Sequence, residues 1–281
     1  MVGRAKILIR FIDRLAAKEK LTAVIEIDTD PTDSDFQPKK IGSVVHVQTT
    51  HLMQSIEQIC QQFQPALIVV VTSPSHRHIK SVTRSLQLIN SVKIDSVTMV
   101  VNCLTIEDQI IQNKDLREQI KEADVLLPVQ TDLLDSIRIQ HLIAILRNLN
   151  PNAPILSMDS EDANPVQLYG LNLLQRAMSN RSLPFRCREK TNRNFDRLSC
   201  FRIDFHKAVD SQALLDHLNE LSPELYRVEG IIDVNNGRVP QQFKYVRGRV
   251  EFSEYPDPSV ADRFIILVSK KSNTYYEAFI D

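Results

Sequence analysis

Six apolar residues in succession, Ala66-Leu67-Ile68-Val69-Val70-Val71, run from Pro65 to a Thr72-Ser73-Pro74 stop. β-Branched residues dominate the run and nothing polar interrupts it. A strand with one wet face would alternate, so a continuous run predicts a strand covered on both faces, as in the middle of a parallel sheet. Ligands of open parallel sheets sit just beyond the carboxyl ends of the strands. That rule directs the search for a site to Thr72–His78 and the neighbouring loops.

The flanking segments read as strand–helix pairs. Lys6–Lys18 has the apolar stripe of a helix (Ile7, Leu8, Phe11, Ile12, Leu15), and Leu21–Ile27 and Ile41–Val47 read as strands. Between them lies an acidic, proline-bearing loop, Asp28–Lys40. Thr50–Phe63 is a helix with Leu52, Met53, Ile56, Ile59, Cys60 and Phe63 on one side. After the apolar run come a helix at Ile79–Leu88, a strand at Ser96–Asn102 and a polar helix at Thr105–Glu122. A strand at Ala123–Leu127, a helix at Ser136–Leu149 rich in apolar residues (Ile137, Ile139, Leu142, Ile143, Ile145, Leu146, Leu149), a strand at Ala153–Ser157 and a helix at Val166–Met178 follow. Alternation of this kind predicts an α/β fold with a doubly wound, mainly parallel sheet.

The pattern changes after Met178. Ser179–Arg197 carries Arg181, Arg186, Arg188, Lys190, Arg193 and Arg197 with little periodicity, and reads as a basic linker or exposed loop. Strands then dominate: Cys200–Phe205, Tyr226–Val234, Val239–Val246, Arg249–Phe252 and Arg263–Val268. A helix at Ser211–Leu221, capped by Asp210 or Ser211, lies among them. The expected organisation is an α/β domain over 1–178, a linker over 179–198 and a small α+β domain over 199–281.

The totals exclude several classes. A net charge of −1 gives no global argument for nucleic acid or an acidic membrane surface. No apolar run approaches the ~18 residues of a membrane span, and the N-terminus has no leader-like apolar segment. Cys60, Cys103, Cys187 and Cys200 are far apart, which fits a reducing compartment better than a disulfide framework or structural zinc site. A cytoplasmic protein is expected. Cys60 and Cys103 fall on core-facing positions and read as small apolar fillers.

Several short matches, in order, resemble the CobW-type metallochaperone GTPases, a P-loop family linked to metal insertion and metal homeostasis. Tyr226–Asp233 (YRVEGIID) is similar to the family's Arg-x-Lys-Gly-hydrophobic strand, and Phe243–Phe252 to the strand pair after it. Asp210–Leu221 matches the preceding helix. Gln119–Leu133 resembles the segment ending in the guanine-reading Asn-Lys-x-Asp, and Leu149–Leu156 the next loop and strand. The resemblance implies a P-loop NTPase-like first domain, lacking part of its sheet, and a CobW C-terminal domain.

The departures fall on the chemistry. A phosphate loop needs glycines for backbone wrapping, a lysine for the β/γ-phosphates and a hydroxyl for Mg²⁺. Here Lys6 and Gly3 remain, Ala5 replaces a glycine and Ile7 the hydroxyl. No strand precedes that loop in this sequence. The family's Glu-x-x-Gly falls on Val71-Thr72-Ser73-Pro74, and a proline has no N–H to donate to a terminal phosphate. Val129-Gln130-Thr131-Asp132 keeps only the aspartate of the guanine motif. The Cys-x-Cys-Cys metal motif falls near Val45-His46-Val47-Gln48, without a thiol.

The residual nucleotide-site positions are therefore Lys6 and Asp132. Each also has a reading that needs no ligand: a solvated lysine near a helix start, and a turn or helix-cap aspartate. His76 and His78, with His46 or His51, form a candidate zinc site whose alternative is an exposed polar loop. Asp28, Asp30, Asp33 and Asp35 lack the spacing, glycine and closing glutamate of a calcium loop and read as solvated. The expected function is a non-catalytic, CobW-like binding or scaffold module with no resident cofactor. GTP with Mg²⁺, and zinc, are the alternatives, as in a GTP-dependent metallochaperone. A protein partner is expected through the C-terminal domain or the Ser179–Arg197 linker, with a homodimer as one form; no nucleic acid or membrane partner is expected.

Overall fold

The computed structural model describes residues 22–28, 44–65, 67–72, 79–157, 174, 177–178, 195–196, 198–221, 223–234 and 239–270. The chain forms two compact units, residues 1–95 and 96–281. Among the described residues no helix is long and apolar enough to cross a membrane.

In the first unit, strands β1 (Thr22–Asp28), β2 (Val44–Gln48) and β3 (Leu67–Val71) form a parallel sheet of order β2-β1-β3. Helices α1 (Leu52–Phe63) and α2 (Ile79–Gln87) follow β2 and β3. Ile25, Ile27, Val47, Leu52, Ile56, Ile59, Val82 and Ile89 form its core, with Cys60 packed against it as an apolar filler. The expected placement of the apolar run is corrected here. β3 is an edge of this sheet among the described residues, β1 is its middle, and every β3 residue is only half-buried. A continuous apolar run records the absence of an alternating wet face; it does not record how many edges are paired.

The second unit begins with β4 (Thr98–Asn102) and β5 (Val125–Val129), paired in parallel. Ile155 adds a single parallel bridge to Leu126 on the other side of β5. Leu126 N donates to Pro154 O there, so the Pro128 nitrogen, two residues on, faces the same weakly paired side. A proline inside β5 therefore removes no bond from the β4–β5 ladder. The expected single helix over Thr105–Glu122 is two: α3 (Ile106–Gln112) and α4 (Lys114–Glu122). Asn113 separates them in an extended conformation and caps α4, its side chain accepting from Leu116 N at 3.1 Å. Helix α5 (Ser136–Leu149) is capped by Asp135, which accepts from Arg138 N at 2.8 Å. It buries Ile139, Leu142 and Leu146, whereas Ile137 is exposed on the opposite face. Cys103 lies in the same core, as expected.

The C-terminal part is a five-stranded antiparallel sheet of order β6-β10-β7-β8-β9, with β6 (Ser199–Asp204), β7 (Leu225–Ile232), β8 (Gln241–Val246), β9 (Arg249–Glu254) and β10 (Phe264–Ser269). Helix α6 (Ser211–Glu220) is capped by Asp210 and lays Leu214 and Leu218 on Val228, Ile232, Phe243, Tyr245, Ile265 and Leu267. β7 and β10 are buried along their whole length. Arg247 and Gly248 make the two-residue turn between β8 and β9, both at positive φ (48° and 83°), the geometry that matches strand twist in a tight hairpin.

Candidate functional site

The described loops at the carboxyl ends of β4 and β5 are Asn102–Thr105 and Gln130–Leu133, where a parallel sheet offers a ligand site. Asn102 Oδ1 accepts from Leu104 N at 3.0 Å, and Cys103 N donates to Val129 O at 3.3 Å, which holds the two loops side by side. Val129 is buried in β5 at 1% exposure. Gln130 then adopts a left-handed conformation (φ 63°), and its side-chain oxygen is buried without a hydrogen-bond partner. Thr131–Leu133 forms one 3-10 turn, with Thr131 buried and Asp132 and Leu133 exposed. Leu104 and Leu133 are exposed at 46% and 61%, so two apolar side chains stand at this end of the sheet beside the exposed Thr105 and Asp132.

Asp132 thus sits in a turn, and the cap of α5 is Asp135 instead. Lys6, His76 and His78 lie outside the described residues, as do Asp30, Asp33 and Asp35. His51 is described in a 3-10 turn before α1 and is exposed. Among the described residues no group of three or more His, Cys, Asp or Glu side chains is placed to hold a metal ion.

Nothing in the sequence hints at the bracing beneath these loops. Asn150, buried just past α5, donates its amide to the carbonyls of Ile120 (2.7 Å), Lys121 (3.1 Å) and Ala123 (2.9 Å), while its oxygen accepts from Ala153 N at 3.0 Å. One side chain so ties the end of α4 to the strand-like segment at Ala153–Ser157. Asp124, at 3% exposure, accepts from Val97 N at 2.7 Å and from Arg249 Nη2 at 2.7 Å. The β8–β9 turn adds Arg247, whose guanidinium donates to Ala123 O at 2.7 Å. Burial lowers the Arg247 pKa, and the Asp124 carboxylate partly offsets this. The turn of the C-terminal sheet therefore grips the α4–β5 junction with two cations, where helix carbonyls carry partial negative charge.

The end of the basic segment is built in as well. Asp196 exchanges backbone bonds with Ile155: its N–H donates to Ile155 O (2.9 Å) and its carboxylate accepts from Ile155 N (2.7 Å) and from Arg147. Phe195 packs against the core of this unit. The expectation of an exposed loop is corrected for these two residues.

Two family models match the chain. The nucleotide-binding domain of the CobW/HypB/UreG family matches residues 15–157, and the cobalamin synthesis protein CobW C-terminal domain matches residues 198–273. A search for curated relatives returns no match. Among solved structures, the zinc-bound YjiA GTPase from E. coli aligns over 96% of this chain and 91% of its own, at 13% identity and TM-score 0.44. A zinc-bound triple mutant of the same GTPase aligns over 93% and 89%, at 12% identity and TM-score 0.40. The first family model alone spans half of the sequence, and both domains fall in family order. This chain belongs to the CobW family, with a parallel α/β nucleotide-binding-type fold followed by an antiparallel C-terminal sheet.

Proposed function

We propose that this CobW-family chain works as a binding or scaffold module in metal homeostasis without turning over GTP. The observation that carries this reading is the loop after β5. A guanine-reading loop offers an amide and a lysine stem to pack the base and brace its neighbours, then a carboxylate for the base edge. Here Val129 is sealed in the strand, Gln130 turns its amide oxygen into the protein, and Asp132 alone faces outward. One exposed carboxylate competes poorly with water for a hydrogen bond. The residues at the phosphate positions point the same way, since Ala5, Ile7 and Pro74 supply neither the wrapping glycine, nor the Mg²⁺ hydroxyl, nor the N–H that a triphosphate needs. This donor set does not fit guanosine triphosphate.

Titrating the full chain with a fluorescent GTP analogue and Mg²⁺ tests the reading. The expected result is no saturable binding below about 100 µM, weaker than ~5.5 kcal/mol of binding free energy. Micromolar binding that both Lys6→Ala and Asp132→Ala abolish would replace it with the GTP-dependent metallochaperone reading.

A further inference from the structure

β9 ends the C-terminal sheet among the described residues. Its ladder with β8 is closed by a two-residue turn, which makes Val246–Arg249 a hydrogen-bonded pair and repeats that pairing at Lys244–Glu251 and Gln242–Ser253. The intervening residues, Val250, Phe252 and Glu254, therefore turn their N–H and C=O groups away from β8, toward the open edge. Their side chains share one face, the one on which α6 packs, because they lie opposite Tyr245, Phe243 and Gln241. Val250 and Phe252 are 40% and 36% exposed, and nearby Val239 is 41% exposed. The Phe252 ring lies 5.0 Å from that of Phe243. Edge strands are commonly blunted with charge, lysine above all, or with proline; β9 carries Arg249, Glu251 and Glu254 but no lysine or proline, and proline comes only at Pro256.

We propose that a second copy of this chain adds its β9 to this edge, antiparallel and about a two-fold axis through Phe252, making one continuous sheet from two. The inference does not depend on whether the nucleotide site is active. Register selects the occupant. With Phe252 opposite Phe252 of the second copy, Val250 meets Glu254 and Glu254 meets Val250. Each of these three pairs exchanges two hydrogen bonds, so every outward-facing group of Val250, Phe252 and Glu254 is used. Glu251 then faces Ser253 rather than a like charge. Shifting by two residues one way opposes Glu251 to Glu251 and leaves the groups of Glu254 without partners. Shifting the other way sets Val250 against Pro256, which has no N–H. The favoured register also continues an aromatic row, Phe243–Phe252 and its symmetry mate, of the kind that stabilises cross-strand neighbours.

Sedimentation equilibrium of the full, nucleotide-free chain, loaded from about 1 to 300 µM, reads the mass directly. The expected result is a rise from 32.2 kDa toward twice that value across the range. Val250→Pro removes one outward donor and no donor of the β8 ladder, so it should stay folded and remain at monomer mass. Phe252→Lys should do the same by placing like charges at the centre of the pair. Amide hydrogen exchange in the unaltered chain supplies a readout that needs no variant: Val250, Phe252 and Glu254 should slow by at least about tenfold as concentration rises, in step with dimer formation. A monomer at every concentration, a dimer that survives both substitutions, or exchange at these three amides that ignores concentration would each overturn the proposal.

Discussion

Replacing Gly230 with alanine should cost the chain about 3 kcal/mol or more, and on a marginal background should abolish folding. Gly230 lies in the middle of β7, directly opposite Ile265 of β10. A Cβ built there would come 2.2 Å from Phe264 O, 2.7 Å from Ile265 Cγ2 and 2.8 Å from Ile265 Cα. Two of those atoms belong to the backbone of a strand buried along its whole length, so no side-chain rotation relieves the overlap. Relief requires β7 and β10 to move apart. That loosens the ladder on which β6 and β8 also hang, and the core packed under α6. The opposing term is small: alanine loses less backbone entropy on folding than glycine, by about 0.5–1 kcal/mol. The overlap wins. Equilibrium unfolding in guanidinium checks the result, with Gly248→Ala as a contrast. A Cβ at Gly248 would meet nothing within 4 Å, and the only strain there comes from its φ of +83°, so that variant should lose roughly 1 kcal/mol. Gly230→Ala with a wild-type midpoint would show that the two strands are not held this close.

The glycine illustrates what the sequence makes legible and what it does not. That Tyr226–Val234 is a strand follows from composition and from Arg-x-x-Gly within a β-branched run; that Gly230 is pinched between backbones does not, because its neighbour lies 35 positions away in the chain (265 − 230). The same division runs through the molecule. Helix α6 is readable with its cap, since an aspartate before an apolar period is local information, whereas α5 is readable only as a helix and its cap is Asp135 rather than the Asp132 offered by the sequence. The break at Asn113 was readable in principle, as asparagine at a helix start is a cap signal, but the polar composition of Thr105–Glu122 hides it. The placement of β3 was not readable, because an apolar run looks the same at an edge and at a centre.

At the candidate site, sequence reasoning finds Asp132 and the loss of its companions through resemblance alone. The structure adds that Val129, which the resemblance sets at the first companion's place, is buried in β5. Asp124, Asn150, Arg247 and Arg249 escape detection because their roles lie in pairings across the fold. The Asp124–Arg249 contact joins residues 125 positions apart, and nothing at either position marks it. An acidic residue at a strand start and an arginine after a turn are ordinary surface choices until the backbone brings them together.

Glu229→Leu should be nearly as damaging as the glycine substitution, for an electrostatic reason. Arg227 and Glu229 project from the same face of β7, two residues apart, with Arg227 Nη1 donating to Glu229 Oε1 at 2.6 Å. Their side chains are 0% and 7% exposed, so this pair, unlike the Lys121–Glu118 pair on the surface, is out of reach of solvent screening. Leucine in place of Glu229 leaves the guanidinium buried without that carboxylate, an imbalance worth about 3–5 kcal/mol. Removing both charges is a different experiment. Arg227→Met with Glu229→Leu eliminates the desolvation cost of two ions along with their attraction, and the double variant should lie within about 1 kcal/mol of the parent or above it. The ordering of the three proteins decides the matter: a single variant far below both the parent and the double variant identifies a pair that guards register rather than one that supplies net stability. A Glu229→Leu protein within about 0.5 kcal/mol of the parent would mean that other groups on β7 and its neighbours hold the arginine unaided.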